Sequence, residues 1–522
     1  LLFGNKTYFM GLVIGIGNGI LFNSPRGAAE ANPFTTTWRT TTANETITIP
    51  TTGTGYNYSI STSDGQTFNN VEGNKTITFA DAGDYDVSIN GDFPTIYFNN
   101  TGDKLKLVDI KQWGDIIWSS FEKSFYGCSN FVGSFVDAPN LSSVINMSGM
   151  FRDATIFNQP LNNWNVSSVS NMNSMFYGAS SFDQPLYSWD VSSITSVSYM
   201  FSNASSFDQN LDSWNVSNIA NVSNMFRGTS VFNQPLNNWN VSSVTDMNSM
   251  FAFATVFNQP LNNWNVSSVA NMSLMFAFAS SFNQNLDSWD VSSVASMGSV
   301  FQSASVFNQP LNSWDVSSVT DTRGMFYSAS VFNQPLNNWN VSGVTDMGSM
   351  FTLASSFNQP LDGWNVSSAS DMSYMFSNAS SFDQPLDSWN VSNVSDMSYM
   401  FSNASAFNQP LDNWDVSSVA NMNSMFYGAS SFDQPLNSWN VSSVTSMTNI
   451  LESVTLSTVN YDSLLIGWES TLQTYFPNGV GYTPTISASF GSSIYTLAGA
   501  SATARASLIS TFGWTITDGG GI

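Results

Sequence analysis

The 522-residue chain has no histidine, one cysteine and only 12 lysines and arginines against 36 acidic residues. Each shortage removes a class of function. Without histidine there is no imidazole base, and no Cys/His cluster can be built to hold a metal. A single thiol excludes an internal disulfide framework. Cys128 falls where a small buried residue is expected, so it reads as core filler rather than a reactive thiol. A formal net charge of −24 leaves no basic surface to neutralise phosphates, which excludes nucleic acid as a partner. Charged residues of both signs make up only 9% of the chain, so Asn, Ser, Thr and Gln must carry solubility. Between residues 151 and 451 the cations are Arg152, Arg227 and Arg323.

What is abundant is repetition. Phe recurs at 157, 182, 207 and every 25 residues to Phe432, with Trp in the same register from Trp164 to Trp439. Twelve near-identical units without insertion require every coil to share one cross-section, since one added residue would break all the stacked columns. In the unit at 232–256, FNQPLNNWNVSSVTDMNSMFAFATV, the stretch 236–241 alternates, with Trp239 and Val241 on one side and Asn238 and Asn240 on the other. Alternation of that kind predicts a short strand with one buried face. Val244, Met247, Met250, Phe251 and Ala254 follow at steps of three and four, which predicts a helix or helical turns. Ser242 and Ser243 suit a helix entry, and Pro260 stops its continuation. The expected fold is an α/β solenoid of strand-plus-helix coils like leucine-rich repeats, the Met and Phe columns being its core.

The signature W-[ND]-V-S-S-V-x-x-M-x-x-M-F, with FNQPL between units, resembles the BspA-like surface-protein repeats of bacteria over residues 113–451. Phe125, Tyr126, Gly127, Cys128 and Phe131 are similar to that family's opening repeat, and residues 461–520 to its C-terminal cap. The resemblance implies a secreted or surface-displayed protein associated with adhesion. It implies no catalytic residue and names no ligand.

The flanks divide into three segments. Residues 33–110 hold short alternating stretches at 45–49, 75–79 and 85–89 between Gly, Asp and Asn, which predicts a small β-sandwich. Ala82-Gly83-Asp84-Tyr85 is similar to the end of a PKD-like module. Residues 111–451 form the array. Residues 452–522 leave the register and read as a C-terminal cap, with Tyr461, Leu464, Leu465 and Trp468 on one helical face and a second helix from Ala502. Residues 1–32 are apolar: Leu12, Ile14, Ile16, Ile20 and Phe22 share one parity, with glycines on the other. Three readings stand: a leader or anchor, an intramolecular strand, or a donor strand that completes another subunit's sheet and builds a homopolymer.

Candidate sites follow from exposure. The residue after each Trp, including Asn165, Asp190, Asn240, Asp290, Asp315 and Asp415, forms a polar ladder on the expected strand face. Structurally, stacked amides would bond from coil to coil; functionally, the face would bind glycans or surface proteins, and neighbouring aspartates would suit Ca²⁺. Sequons at Asn5, Asn44, Asn57, Asn74 and Asn99 are glycosylation candidates. Departures from the repeat (Asn210, Asn285, Val300, Ala369 and the three arginines) look scattered along the sequence. No acid, base and nucleophile cluster, and a non-enzymatic protein is expected. The reading is an extracellular filament or surface-assembly subunit, or a monomeric adhesin, with no cofactor and no transmembrane span in the mature chain.

Overall fold

A computed structural model of the protein describes residues 31–522. The chain begins with seven antiparallel strands: β1 (Phe34–Thr40), β2 (Glu45–Ile49), β3 (Asn57–Thr62), β4 (Thr67–Val71), β5 (Lys75–Phe79), β6 (Gly83–Asp92) and β7 (Leu107–Gln112). Five of them form one sheet in the order β4-β3-β6-β1-β7, while β2 pairs with β5. The alternation that predicted strands sorts the side chains: Ile47, Ile49, Ile77 and Phe79 are buried, and Thr48 and Thr76 meet outside through their hydroxyls at 3.0 Å. Trp38, Tyr58, Ile60, Val87 and Ile89 of the larger sheet share the same core.

That core runs directly into the repeats. Phe34 on β1 stacks on Trp113 at 5.7 Å and meets Trp118 edge-on at 5.0 Å, and Trp113 meets Trp164 of the array edge-on at 5.4 Å. The strands therefore cover the apolar end of the first coil, which would otherwise face water.

Each 25-residue unit is one turn-built coil laid on the next. Met147, Gly149, Phe151 and Asp153 donate their N–H groups to the carbonyls of Asn171, Asn173, Met175 and Tyr177 at 2.7–2.9 Å, and the same pattern recurs along the array. Parallel bridges link Asn146, Asn171, Ser196, Asn221 and Asp246 in succession, continuing to Ser446. Identical side chains then stack: Phe257 on Phe282 at 6.0 Å, Trp264 on Trp289 at 6.3 Å. Every indole from Trp189 to Trp439 donates to the carbonyl of the leucine 28 residues earlier, Trp264 to Leu236 at 2.8 Å for example. The indole N–H groups and alternate backbone N–H groups of this segment are thus satisfied by a neighbouring coil.

Two expectations are overturned. The segment 244–254 is not a helix, and 236–241 is not a strand. Apolar steps of three arise instead from successive reverse turns, in which Trp164 donates to Leu161, Val169 to Val166, Met175 to Met172 and Ala179 to Phe176. A three-residue step fits an i→i+3 turn as well as a helical face. The deciding feature is the backbone: each coil has two residues at positive φ, such as Ser249 (54°) and Phe253 (61°), a conformation no α-helix admits. The coil-to-coil ladder runs through the segment expected to be helical. The strand-plus-helix plan of leucine-rich repeats does not describe these coils.

The C-terminal segment closes the array by imitating a further coil. Helix α1 (Thr458–Tyr475) starts at Ser457, whose side chain caps Asn460 N–H, and buries Tyr461, Leu464, Leu465, Trp468 and Leu472. Trp468 donates to Leu436 O at 2.9 Å, extending the indole column by one step. Gly467 allows this approach, since a Cβ there would lie 2.2 Å from Asn437 O. Short parallel strands β8 (Ser487–Ser489) and β9 (Thr515–Thr517) flank helix α2 (Ala500–Ser510), and Ser489 O accepts from Leu451 N, continuing the backbone ladder.

Candidate binding edge

The ladder after each Trp is exposed but does not bond from coil to coil as a stacked-amide ladder would. Asn165, Asp190, Asn240, Asp290, Asp315 and Asp415 each turn Oδ1 back onto the N–H of the Ser two residues on, at 3.0–3.2 Å. This local turn needs only an Oδ acceptor, which explains why Asn and Asp interchange there. The Ser hydroxyl and N–H also hold Asp190, Asp290, Asp315 and Asp415 below the ordinary carboxylate range. Among the described residues no group of three or more acidic or Cys side chains is placed to hold a metal ion, Asp290 and Asp315 included.

The inter-coil polar ladder lies elsewhere, in the FNQPL segment. Asn258 Oδ1 accepts the N–H of Asn283 and the side-chain amide of Gln284, Asn283 serves Asn308 and Gln309 alike, and the series ends on the cap, where Asp433 receives Ser457 and Asn460. The paired Asn/Asp and Gln of each unit carry this signal in the sequence, obscured by the proline that follows.

Of the sequons, Asn44, Asn57 and Asn74 are exposed and Asn99 is partly buried; Asn44 and Asn99 have positive φ, and Asn74 accepts from Thr51. Asn5 and the expected joint at Leu12, Ile14, Ile16, Ile20 and Phe22 lie outside the described residues. Cys128 is fully buried, and burial pushes its thiol pKa well up.

A second face gathers most of what is unusual in the array. Arg152 lies between the rings of Tyr126 (4.9 Å) and Tyr177 (4.4 Å), and Arg227 over Phe253 at 5.1 Å. Phe253 and Phe278 stack at 4.5 Å, as do Tyr374 and Tyr399. Phe253 and Tyr374 are exposed despite being large and aromatic, and all four occupy positive-φ positions, a conformation that costs a non-glycine residue about 1 kcal/mol or more. All three arginines of residues 151–451 lie on this edge. Departures that stand apart in sequence are stacked here: Gly298, Arg323 and Gly324 line two adjacent coils, whose buried positions Val300 and Thr322 replace the Met of neighbouring coils. Arg323 Nη1 bridges Asp346 (3.3 Å) and Asp371 (3.2 Å), and an open groove of about 370 Å³ lies beside it.

A larger groove of about 730 Å³ separates the strands from the first coils, but its charges are spent on one another: Arg39 on Asp84 and Lys111 on Asp86, both at 2.7 Å. Burial raises Asp109 on its wall. No helix among the described residues is long and apolar enough to cross a membrane.

Residues 119–233, 207–312, 281–387 and 362–463 each match the family described as Mycoplasma protein of unknown function, DUF285. The four overlapping matches span more than half of the chain. No curated protein matches it.

Proposed function

The chain belongs to the DUF285 family, whose function is unknown, and we propose that its repeats form a solenoid acting as a non-enzymatic extracellular scaffold that recognises ligands along one edge. The observation that carries this reading is the segregation of the array's cations and stacked, exposed aromatics onto the edge that bears the backbone ladder. A purely structural array has no need of aromatics in strained, solvent-facing positions; recognition surfaces use them because they bury large area with few rotamers to freeze. The resemblance of the repeats to BspA-like surface proteins supports the same reading and favours adhesion.

The test is to immobilise the full chain and pass over it a panel of extracellular-matrix proteins and oligosaccharides. Saturable binding without any product released from the bound molecule is expected. Binding to no panel member, or turnover of one that binds, would overturn the reading.

A further inference from the structure

We propose that the break at residues 298–327 is a subsite for a neutral oligosaccharide. The inference rests on the scaffold reading above and gives it a ligand class. The column that holds one positive-φ residue per coil runs Leu274, Ser299, Gly324, Ser349, Tyr374, Tyr399. Small residues therefore fill the three coils between Leu274 and the stacked tyrosines. Four coil steps of about 4.8 Å set those walls on the order of 19 Å apart. Tyr374 stacks on Tyr399 with the rings only 6° from parallel, so the opposite face of Tyr374 is turned along the array axis toward Ser349.

The groove of about 370 Å³ lies within this gap, in the size range of small-ligand sites, about 300–1,000 Å³. Leu274 closes one end, Gly298, Ser299 and Gly324 form the floor, and Gln302, Asp321, Arg323 and Tyr327 supply polar groups. Those groups fit hydroxyls, which both donate and accept. Asp321 accepts, the guanidinium donates, and the amide of Gln302 and phenol of Tyr327 do both. The Arg323 guanidinium is held through Nη1 by Asp346 and Asp371, and Asp321 Oδ1 accepts the backbone N–H of Arg323 at 2.9 Å. One coil beyond Ser349, where the groove ends, the ring of Tyr374 suits the C–H face of a pyranose extending out of it.

Charge narrows the class. Three aspartates surround one arginine, so the groove is net negative and repels sulfated or uronic polymers as it would nucleic acid. The groove also departs from the repeat where packing does not require it. Arg323 stands exposed in the column where Ser273 is partly buried and Ser373 and Ser398 are buried, so its charged side chain fills no core space.

The column itself supplies the test. Tyrosine is already accommodated at this position in three coils (Tyr199, Tyr374 and Tyr399, φ 57–59°), so Ser299→Tyr fills the groove with a side chain the coil accepts. Binding of chitotetraose, cellotetraose and maltotetraose to the full chain is measured by calorimetry, with thermal unfolding recorded for each variant. At least one tetrasaccharide is expected to bind, Ser299→Tyr to weaken it more than tenfold with an unchanged melting temperature, and Arg323→Gln to weaken it severalfold. Binding unaltered by Ser299→Tyr overturns the subsite. So does a chain that binds only a protein from the matrix panel, a result that leaves the scaffold reading standing. Hydrolysis of a bound tetrasaccharide would overturn the non-enzymatic reading and leave the subsite.

Discussion

The indole column offers a measurement with its own internal control. Trp264 and Trp164 occupy the same register and are equally buried, with 3% and 2% of their surface exposed. They differ in one bond. Trp264 Nε1 donates to Leu236 O at 2.8 Å, whereas Trp164, first in the column, has no partner for its indole N–H among the described residues. Replacing either by Phe removes similar apolar volume. At position 264 the change also removes one of the two donors to Leu236 O, which keeps the Trp239 N–H at 3.1 Å, a net loss of about 0.5–1.5 kcal/mol to which the relief at position 164 adds. At position 164 it removes an orphaned donor, which costs nothing and recovers part of the packing loss. Trp264→Phe is therefore expected to destabilise by about 1–3 kcal/mol more than Trp164→Phe. Because a long array need not unfold in one step, the comparison belongs to local opening. Hydrogen exchange of peptides covering the coils around each site reads it, and the difference corresponds to roughly 5- to 150-fold in the opening constant. Equal effects, or a larger effect at Trp164, would show that inter-coil indole bonds contribute nothing and that stacking alone holds the column.

Three other perturbations probe the ends of the array. Gly467→Ala forces a Cβ to within 2.2 Å of Asn437 O, and an overpacked contact of this kind costs about 1–3 kcal/mol; limited proteolysis should cut near α1 first in the variant. Asp518 binds Arg505 at 2.7 Å and accepts from the Tyr461 hydroxyl with only 3% of its side chain exposed. Burial pushes its pKa up, but the bonds from Arg505 and Tyr461 outweigh burial, so the net direction is down. The stability it contributes is present above the ordinary carboxylate pKa, about 3.9, and is lost as pH falls through that value toward the lowered one. Asp518→Asn is expected to cost about 3–5 kcal/mol at pH 7 and to flatten the acid limb of the cap's melting curve; an unchanged limb would remove the pair from the account. Cys128 should resist alkylation in the folded protein and become labelled at the rate at which the first coils open, so rapid labelling under native conditions would contradict its burial.

What the sequence discloses and what it conceals follow from the same fact, the identity of the repeats. The period, the Phe, Trp, Leu and Met columns and the strands at 45–49 and 75–79 were legible because each depends on which side chains are apolar and how far apart they stand. Local conformation was not, because Val244, Met247 and Met250 make the same pattern in a helix and in a row of i→i+3 turns. The positive-φ residues and the bonds from Val222, Asn224 and Phe226 to the following coil distinguish the two, and those bonding partners are 24 residues away. The polar columns divide the same way. An Asn after Trp looked like an inter-coil ladder and is a local turn; Asn258 and Gln284, which do bond between coils, looked like a chain return. The binding edge was hidden by linear distance: Gln302 and Arg323 stand 21 residues apart in sequence and line one groove. Aligning the units column by column, rather than noting departures in order along the chain, sets Gly298, Thr322, Arg323 and Gly324 in adjacent rows. In an array this regular, a departure carries information chiefly through the departures it is stacked against.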